Sequence, residues 1–282
     1  MSVPKYHALA GEISRISDMP CGSFTKEPIV VMDGSYFKDC IYSEVSWLKT
    51  PGRCEGLVKH TSDELHVFLG HDHDDIENLN AEILFQIEND ILTLTKTCCV
   101  FVPGGTAHGN FEIKSLKEPV FHYVCHLDAD TYEETPAEPT AAPGAFAGYV
   151  VEKYEPVDGK MPTESEIDLT PLLWIDAPKL KGAPYMEAAW FNTVNYTGPT
   201  EHRHVFDEFV AFFGSDPENP DVLGGEVGMN VGGEVFYFTK SCLIFIPRGV
   251  VHAPIYVPKL ERPILHFSGG NGGSYVRLNT DS

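Results

Sequence analysis

The chain has 282 residues and a mass of 31.2 kDa, enough for one large domain or two ordinary ones. Twenty Lys and Arg against 41 Asp and Glu leave a net charge of -21, and so acidic a protein repels nucleic-acid phosphates and anionic lipid headgroups. Hydrophobic residues make up 43% of the chain, which excludes a disordered protein. We therefore expect a globular protein that binds a small molecule, with neither nucleic acid nor membrane as a partner.

The N-terminal residues, MSVPKYHALAGEISR, lack the basic and then apolar layout of a signal peptide. No run approaches the roughly 20 apolar residues that span a bilayer. The seven cysteines are odd in number and form no C-x-x-C pair. These features predict a cytoplasmic protein with reduced thiols.

The sequence repeats itself once. Residues 60–122 can be laid over residues 204–266 without a gap, and upstream of this window the repeat shifts by one position. The matched pairs include His60 with His204, Glu64 with Glu208, His108 with His252, His122 with His266, and, upstream, Glu44 with Glu187. Two copies of one domain therefore account for nearly the whole chain.

The boundary between the copies is predicted in a segment rich in Pro, Ala and acidic residues that has no apolar period. We assign residues 1–130 to the first domain, 131–148 to an exposed linker and 149–282 to the second domain.

Each copy consists of short β-like segments. In the second copy, the segments EVGMNV and EVFYFT flank a Gly232-Gly233 turn, and the segment LIFIP follows. In the first copy, the segments AEILFQI and ILTLT flank an Asn89-Asp90 turn, and the segment VFVP follows. Hardly any segment has a helical period. The pattern predicts an all-β protein made of two tandem barrels.

A set of potential metal ligands occurs in the second copy. His202 and His204 are two residues apart, so in a strand both point to the same face. Glu208 opens the next apolar run, and a turn containing Pro and Gly precedes His252. Three imidazoles and a carboxylate suit a first-row divalent ion with one or two open positions, without dictating which metal.

These residues form the patterns H-x-H-x(3)-E and P-x-G-x-x-H, which resemble the two signature motifs of the cupin superfamily, and the duplication resembles a bicupin. The resemblance implies two double-stranded β-helix barrels. It also implies that His202, His204, Glu208 and His252 bind one divalent transition metal, which could be Fe, Mn, Ni, Zn or Cu. The chain departs from the family pattern at Gly214, Ser241 and Tyr256, so the resemblance names no particular enzyme family.

The first copy lacks one of these four ligands, because Val58 stands where the second copy has His202. The remaining ligand positions are held by His60, Glu64 and His108. Loss of a ligand favours a degenerate, metal-free site, although two histidines and a carboxylate also resemble the facial triad of non-haem iron oxygenases. His66 could substitute for the missing ligand or could be an inward polar side chain, and both interpretations stay open.

The resemblance implies a metal-dependent enzyme, and many metal-bearing bicupins are oxygenases. We therefore predict a dioxygenase-like enzyme acting on a small aromatic or enol/keto substrate, with His266 and Tyr256 as candidate catalytic residues that could equally be packed core residues. A redox-neutral isomerase or lyase acting on a sugar or keto acid would use the same ligands. A non-catalytic, small-molecule-binding cupin is the third alternative. Exposed barrel edges would also permit a homo-oligomer.

Overall fold

The computed structural model describes residues 6–10, 22–72, 74–155 and 169–279, and within these ranges every regular element is a β-strand. The strands before residue 156 are β1 (His7–Leu9), β2 (Lys26–Met32), β3 (Tyr42–Leu48), β4 (Gly52–Lys59), β5 (Glu64–Leu69), β6 (Asn78–Ile87), β7 (Asp90–Lys96), β8 (Cys98–Val102), β9 (His108–Leu116), β10 (Val120–His126), β11 (Thr135–Pro136) and β12 (Val150–Val151). The strands after residue 168 are β13 (Leu169–Ile175), β14 (Tyr185–Phe191), β15 (Tyr196–Gly198), β16 (His202–Arg203), β17 (Glu208–Gly214), β18 (Val222–Val231), β19 (Glu234–Lys240), β20 (Cys242–Ile246), β21 (His252–Leu260), β22 (Ile264–Gly270) and β23 (Leu278–Asn279).

The first compact unit lies within residues 15–153 and contains two sheets. Their strand orders are β12-β8-β5-β10-β3-β2 and β11-β4-β9-β6-β7. Inward side chains of both sheets form one apolar core, in which Phe68 of β5 stacks on Phe111 of β9 with ring centroids 5.9 Å apart. Alternate residues along each strand face this core, as the period-two sequence pattern predicts.

The second unit comprises residues 154–282 together with the N-terminal segment that contains β1. Its sheets run β1-β20-β17-β22-β14-β13 and β19-β18-β21-β16-β23, with β15 also paired to β21. The series β20-β17-β22-β14-β13 repeats the series β8-β5-β10-β3-β2 of the first unit. Met229 and Val257 of one sheet pack with Phe212 and Ile244 of the other. The predicted all-β class and the duplication are therefore confirmed.

The division of the chain differs from the predicted boundaries at two places. Strand β1 pairs with β20 of the second unit, with His7 opposite Ile244. The predicted linker, 131–148, packs on the first unit, because β11 pairs with β4 through Thr135 and Lys59. Its backbone thus gains hydrogen-bond partners while its side chains stay largely exposed.

The turn between β6 and β7 is formed by Glu88 and Asn89, one residue earlier than the sequence suggested. Glu88 adopts a positive φ of 52°, which is uncommon for a residue other than glycine. Its carboxylate accepts hydrogen bonds from the backbone N–H groups of Ala107 and Ala141, each at 2.9 Å. These bonds hold the turn in place.

No helix in the described ranges is long and apolar enough to cross a membrane. Six cysteines of the same ranges carry free thiols: Cys40, Cys54, Cys98, Cys99, Cys125 and Cys242. Burial raises the pKa of Cys125 to about 12, so this thiol stays protonated and unreactive at neutral pH.

Candidate metal centre

Strand pairing in the second barrel brings its four predicted ligands together. His202 in the short strand β16 lies directly opposite His252 at the start of β21. Glu208 begins β17, between Ile246 of β20 and Gly270 of β22. All three of these ligands, and His204 between β16 and β17, are buried.

The distances among the three histidines, and from Glu208 to two of them, are in the range expected around a metal ion. The ligand atoms of the three histidines all lie within 4.8 Å of one another. Nε2 of His252 lies 2.9 Å from Glu208 Oε2, and Nε2 of His204 lies 3.5 Å from Glu208 Oε1. Ligands about 2.1 Å from a first-row ion are separated by roughly 3.0–3.5 Å when they are adjacent.

Each histidine is oriented by a backbone carbonyl that accepts a hydrogen bond from its Nδ1. The acceptors are Thr200 for His202 at 2.7 Å, Val276 for His204 at 2.7 Å and Val250 for His252 at 3.0 Å. An N–H at Nδ1 leaves the lone pair on Nε2, which is the tautomer that a metal ligand needs. All three Nε2 atoms are thus prepared to bind a cation.

With the histidines protonated at Nδ1, two polar atoms at the centre of the set have no hydrogen-bond partner among the described residues. They are Nε2 of His204 and Oε2 of Glu208, both buried. An unsatisfied buried polar atom reduces the free energy of unfolding by about 1–3 kcal/mol. A divalent cation coordinated by both atoms would remove that cost. The other carboxylate oxygen, Oε1, accepts a hydrogen bond of 2.9 Å from Ser268 Oγ. The four residues therefore fit a divalent transition metal.

The electrostatic environment favours the deprotonated, metal-binding forms of three of the four groups. Burial lowers the pKa of His202 to about 4 and also lowers the pKa of His204, so both imidazoles are neutral at pH 7. Burial alone would raise the pKa of Glu208, but His252 and the other two histidines lower it to about 2. The Glu208 charge in turn outweighs burial and raises the pKa of His252. Two neutral imidazoles beside a fixed negative charge favour the binding of a cation.

A cavity opens onto the ligand set. Its apolar wall includes Phe191, Val210, Met229 and Ile255. The polar groups that share the cavity are Tyr154, Glu187, His266, Ser268 and Tyr275. An apolar cavity with a few converging polar groups is the usual form of a small-molecule site.

The two candidate catalytic residues occupy different places. His266 lines the cavity, stacked between Phe191 and Phe212, and its Nδ1 donates to the carbonyl of Ala211 at 3.1 Å. Burial lowers the pKa of His266 to about 4, so its ring is uncharged at neutral pH. Tyr256 lies outside the lining, because its neighbours Ile255 and Val257 point into the core and adjacent strand residues point to opposite faces.

The sequence reasoning missed Glu187, which lies in β14 and faces the cavity. The Tyr154 hydroxyl donates a hydrogen bond of 3.0 Å to Glu187 Oε2. Burial raises the pKa of the Glu187 carboxyl to about 7. A carboxyl group that can hold a proton at neutral pH beside a metal set is a candidate acid or base.

The repeat itself contains the signal for Glu187. Its counterpart in the first barrel, Glu44, forms a buried ion pair of 2.5 Å with Lys26. The residue at the position of Lys26 in the second barrel is Leu169. The second copy has therefore kept the carboxyl group and replaced the lysine that neutralises it in the first.

The possible second ligand set is also brought together by the fold. The ligand atoms of His60, Glu64 and His108 all lie within 4.8 Å of one another. Val58 lies opposite His108, as His202 lies opposite His252. The missing ligand is thus absent at the place that the repeat predicts.

Solved structures of similar fold include those of oxalate decarboxylase. A point mutant of the Bacillus subtilis enzyme superposes with a TM-score of 0.63 at 11% sequence identity, covering 100% of this chain and 81% of that one. The same enzyme studied at pH 4.6 gives a TM-score of 0.61 at 12% identity, with coverage of 100% and 80%. No family model and no curated protein sequence matches.

Full coverage by these structures, together with the duplicated sheets, defines the fold as that of a bicupin. The motifs predicted this fold, and the structure confirms it. At 11–13% sequence identity, the similarity to these structures shows the architecture alone. The reaction and the substrate have to be argued from the residues of this chain.

Proposed function

We propose that this protein is a metal-dependent lyase that decarboxylates a small carboxylic acid in the second barrel. This proposal is supported by two chemical features of one cavity. They are the four-residue metal set and the protonatable carboxyl group of Glu187. His202, His204, Glu208 and His252 would hold the divalent ion, which would supply a Lewis acid for the substrate oxygens. A carboxylate with a neighbouring oxygen group, as in oxalate or a 2-keto acid, suits such a centre.

Decarboxylation breaks a carbon–carbon bond, releases carbon dioxide and leaves an electron pair on the remaining carbon. That carbon then takes up a proton, so the reaction is redox-neutral and needs a proton donor. Glu187 holds a proton below about pH 7, and Tyr154 orients its carboxyl group. Solvent reprotonates Glu187 after each turnover.

The surroundings of the cavity favour this reaction. Its apolar wall excludes water from the bond that breaks, which favours conversion of a charged carboxylate into neutral carbon dioxide. The guanidinium of Arg277 lies 5.5 Å from the centre of the Tyr275 ring, and Tyr275 lines the cavity. In a protein with a net charge of -21, this local positive charge favours the entry of an anionic acid.

The comparisons support a lyase more than the oxygenase suggested by the sequence. The two structures of similar fold described above carry the name oxalate decarboxylase, which makes oxalate the first acid to test. An oxygenase would consume one dioxygen for each substrate converted, whereas a lyase releases carbon dioxide without net oxygen uptake.

The decisive assay measures both gases on protein reloaded with Mn(II) or Fe(II), using oxalate and a series of 2-keto acids in air. We expect carbon dioxide release without stoichiometric oxygen uptake. Glu187→Gln should keep its metal content and lose at least about 100-fold in rate, the usual contribution of a general acid. Stoichiometric oxygen uptake would support the oxygenase instead, and binding without turnover would support a non-catalytic cupin.

A further inference from the structure

The first barrel contains a cavity that corresponds to the metal-centre cavity of the second barrel. Several lining residues of the two cavities are paired by the gapless sequence repeat. The pairs are Phe85 with Met229, His108 with His252, and Phe111 with Ile255. The two cavities are therefore equivalent in the fold, and their differences can be compared residue by residue.

The wall of the first-barrel cavity is rich in aromatic rings. Phe24, Phe85, Phe111 and Tyr132 line it, whereas methionine and isoleucine hold two of these positions in the second barrel. The ring centroid of Phe111 lies 5.3 Å from that of Phe24 and 6.3 Å from that of Phe85. The face of an aromatic ring carries partial negative charge and attracts organic cations. This wall suits a ligand that combines a flat ring with a positive charge.

The segments that follow β10 and β22 are also equivalent. In the first barrel, the carbonyl of Glu133 accepts a hydrogen bond of 2.7 Å from His60 Nδ1, and β11 then pairs with β4. In the second, the carbonyl of Val276 accepts a hydrogen bond of 2.7 Å from His204 Nδ1, and β23 then pairs with β16. The position directly after this carbonyl can therefore be compared between the barrels.

The charge at that position is reversed between the two barrels. The residue is Glu134 in the first and Arg277 in the second. Glu134 is exposed and lines the cavity together with Glu55, and no lysine or arginine of the described residues is in the lining. Glu55 is already paired with Arg53 at 2.8 Å, so Glu134 is the main charge at the mouth. The first cavity therefore favours a cation where the second barrel carries a positive charge.

A buried nitrogen atom of the cavity wall can accept a hydrogen bond from a ligand. His66 is 4% exposed and lines the cavity, and Val210 stands at its position in the second barrel. With its proton on Nδ1, which lies 3.2 Å from His122 Nε2, the Nε2 atom of His66 has no hydrogen-bond partner among the described residues. Glu64 Oε2 lies 3.3 Å from this Nε2 without forming a hydrogen bond. A ligand hydroxyl would satisfy the buried acceptor.

We propose that the first-barrel cavity binds a small aromatic amine, a ligand opposite in charge to the acid proposed for the second barrel. The ring of the amine packs against Phe85 and Phe111, and its ammonium group pairs with Glu134 at the mouth. A hydroxyl group on the ring donates to Nε2 of His66. The ammonium group gains from the carboxylate and from the aromatic wall together. This proposal does not depend on the reaction of the second barrel.

The test is isothermal titration calorimetry of the whole chain at neutral pH with tyramine, a phenol that carries an ammonium group. Tyrosol, in which a hydroxyl replaces the ammonium group, is the charge control. We expect tyramine to bind at least about tenfold more tightly than tyrosol, the ratio that one charge-assisted hydrogen bond provides. Phenethylamine, which lacks the ring hydroxyl, should bind more weakly than tyramine.

Two variants assign the binding to this cavity. Glu134→Arg installs the residue of the second barrel and should weaken tyramine binding at least about tenfold, with much less effect on tyrosol. Glu138→Arg makes the same charge change in the same exposed segment, outside the cavity lining, and should keep the affinity for tyramine. His66→Val should weaken tyramine and tyrosol but change the affinity for phenethylamine much less.

Three results would overturn the proposal: neither amine binds, tyrosol binds as tightly as tyramine, or Glu134→Arg leaves the affinity for tyramine unchanged. Equal losses in Glu134→Arg and Glu138→Arg would trace the effect to the overall charge of the protein and would overturn it as well. Thermal unfolding checks that each variant is folded. Glu134→Gln, which removes the charge without adding a new one, gives the same comparison if the arginine variant does not fold.

Discussion

In the proposed reaction, a single carboxyl group in the second barrel, that of Glu187, supplies the proton. The titratable and charged groups around it are Tyr154, Tyr185, Glu208 and Arg277. Burial is the largest influence and raises its pKa, Glu208 raises it further, and the two hydroxyls and Arg277 lower it, with a result of about 7. Since the proton donor must be protonated, kcat/KM should fall as the pH rises through about 7.

Tyr154→Phe tests this assignment. The substitution removes the hydrogen bond that stabilises the charged form of Glu187, so the pKa of Glu187 rises and the loss of activity moves to higher pH. The measurement is kcat/KM as a function of pH, with Tyr237→Phe, an exposed tyrosine, as the matched control. A profile that stays in place or moves to lower pH would show that Glu187 is not the titrating donor.

At the scale of the elements, the same strand pair serves two different purposes in the two barrels. In the first, Lys26 of β2 neutralises Glu44 of β3, and Tyr42 donates a hydrogen bond of 3.0 Å to the same carboxylate. In the second, Leu169 of β13 replaces the lysine and Glu187 of β14 faces a cavity. One pair stabilises its barrel, and the other contains the proposed proton donor.

Paired substitutions should therefore have opposite consequences. Glu44→Gln leaves Lys26 buried without its carboxylate partner, and breaking such a pair costs about 3–5 kcal/mol of unfolding free energy. Glu187→Gln removes a carboxyl group that is uncharged below about pH 7 and should change stability much less. Thermal unfolding and carbon dioxide release, measured on both variants, separate the two roles. Equal loss of stability in both variants would contradict this division.

Much of the metal centre could be predicted from local sequence rules. The two-residue spacing of His202 and His204 sets a common face, and the turn before His252 returns that side chain to the barrel. Glu187 and Tyr154 could not be found in this way, because their contact joins residues 33 positions apart. The pairing of β1 with β20 joins segments more than 230 positions apart and leaves no local signal.

At the scale of the whole molecule, gene duplication has given two barrels with the same strand order and different interiors. Both orient a glutamate through one oxygen and direct the other oxygen towards histidines. The second barrel adds an unneutralised carboxyl group in a cavity. This difference assigns the proposed reaction to the second barrel.

Anomalous diffraction from crystals of metal-loaded protein, recorded at the absorption edge of the added metal, is the most direct test of the central claim. We predict a peak in the second barrel within about 2.0–2.3 Å of His202, His204, Glu208 and His252. A density map with no peak there, and with Glu208 hydrogen-bonded to protonated histidines instead, would contradict the account.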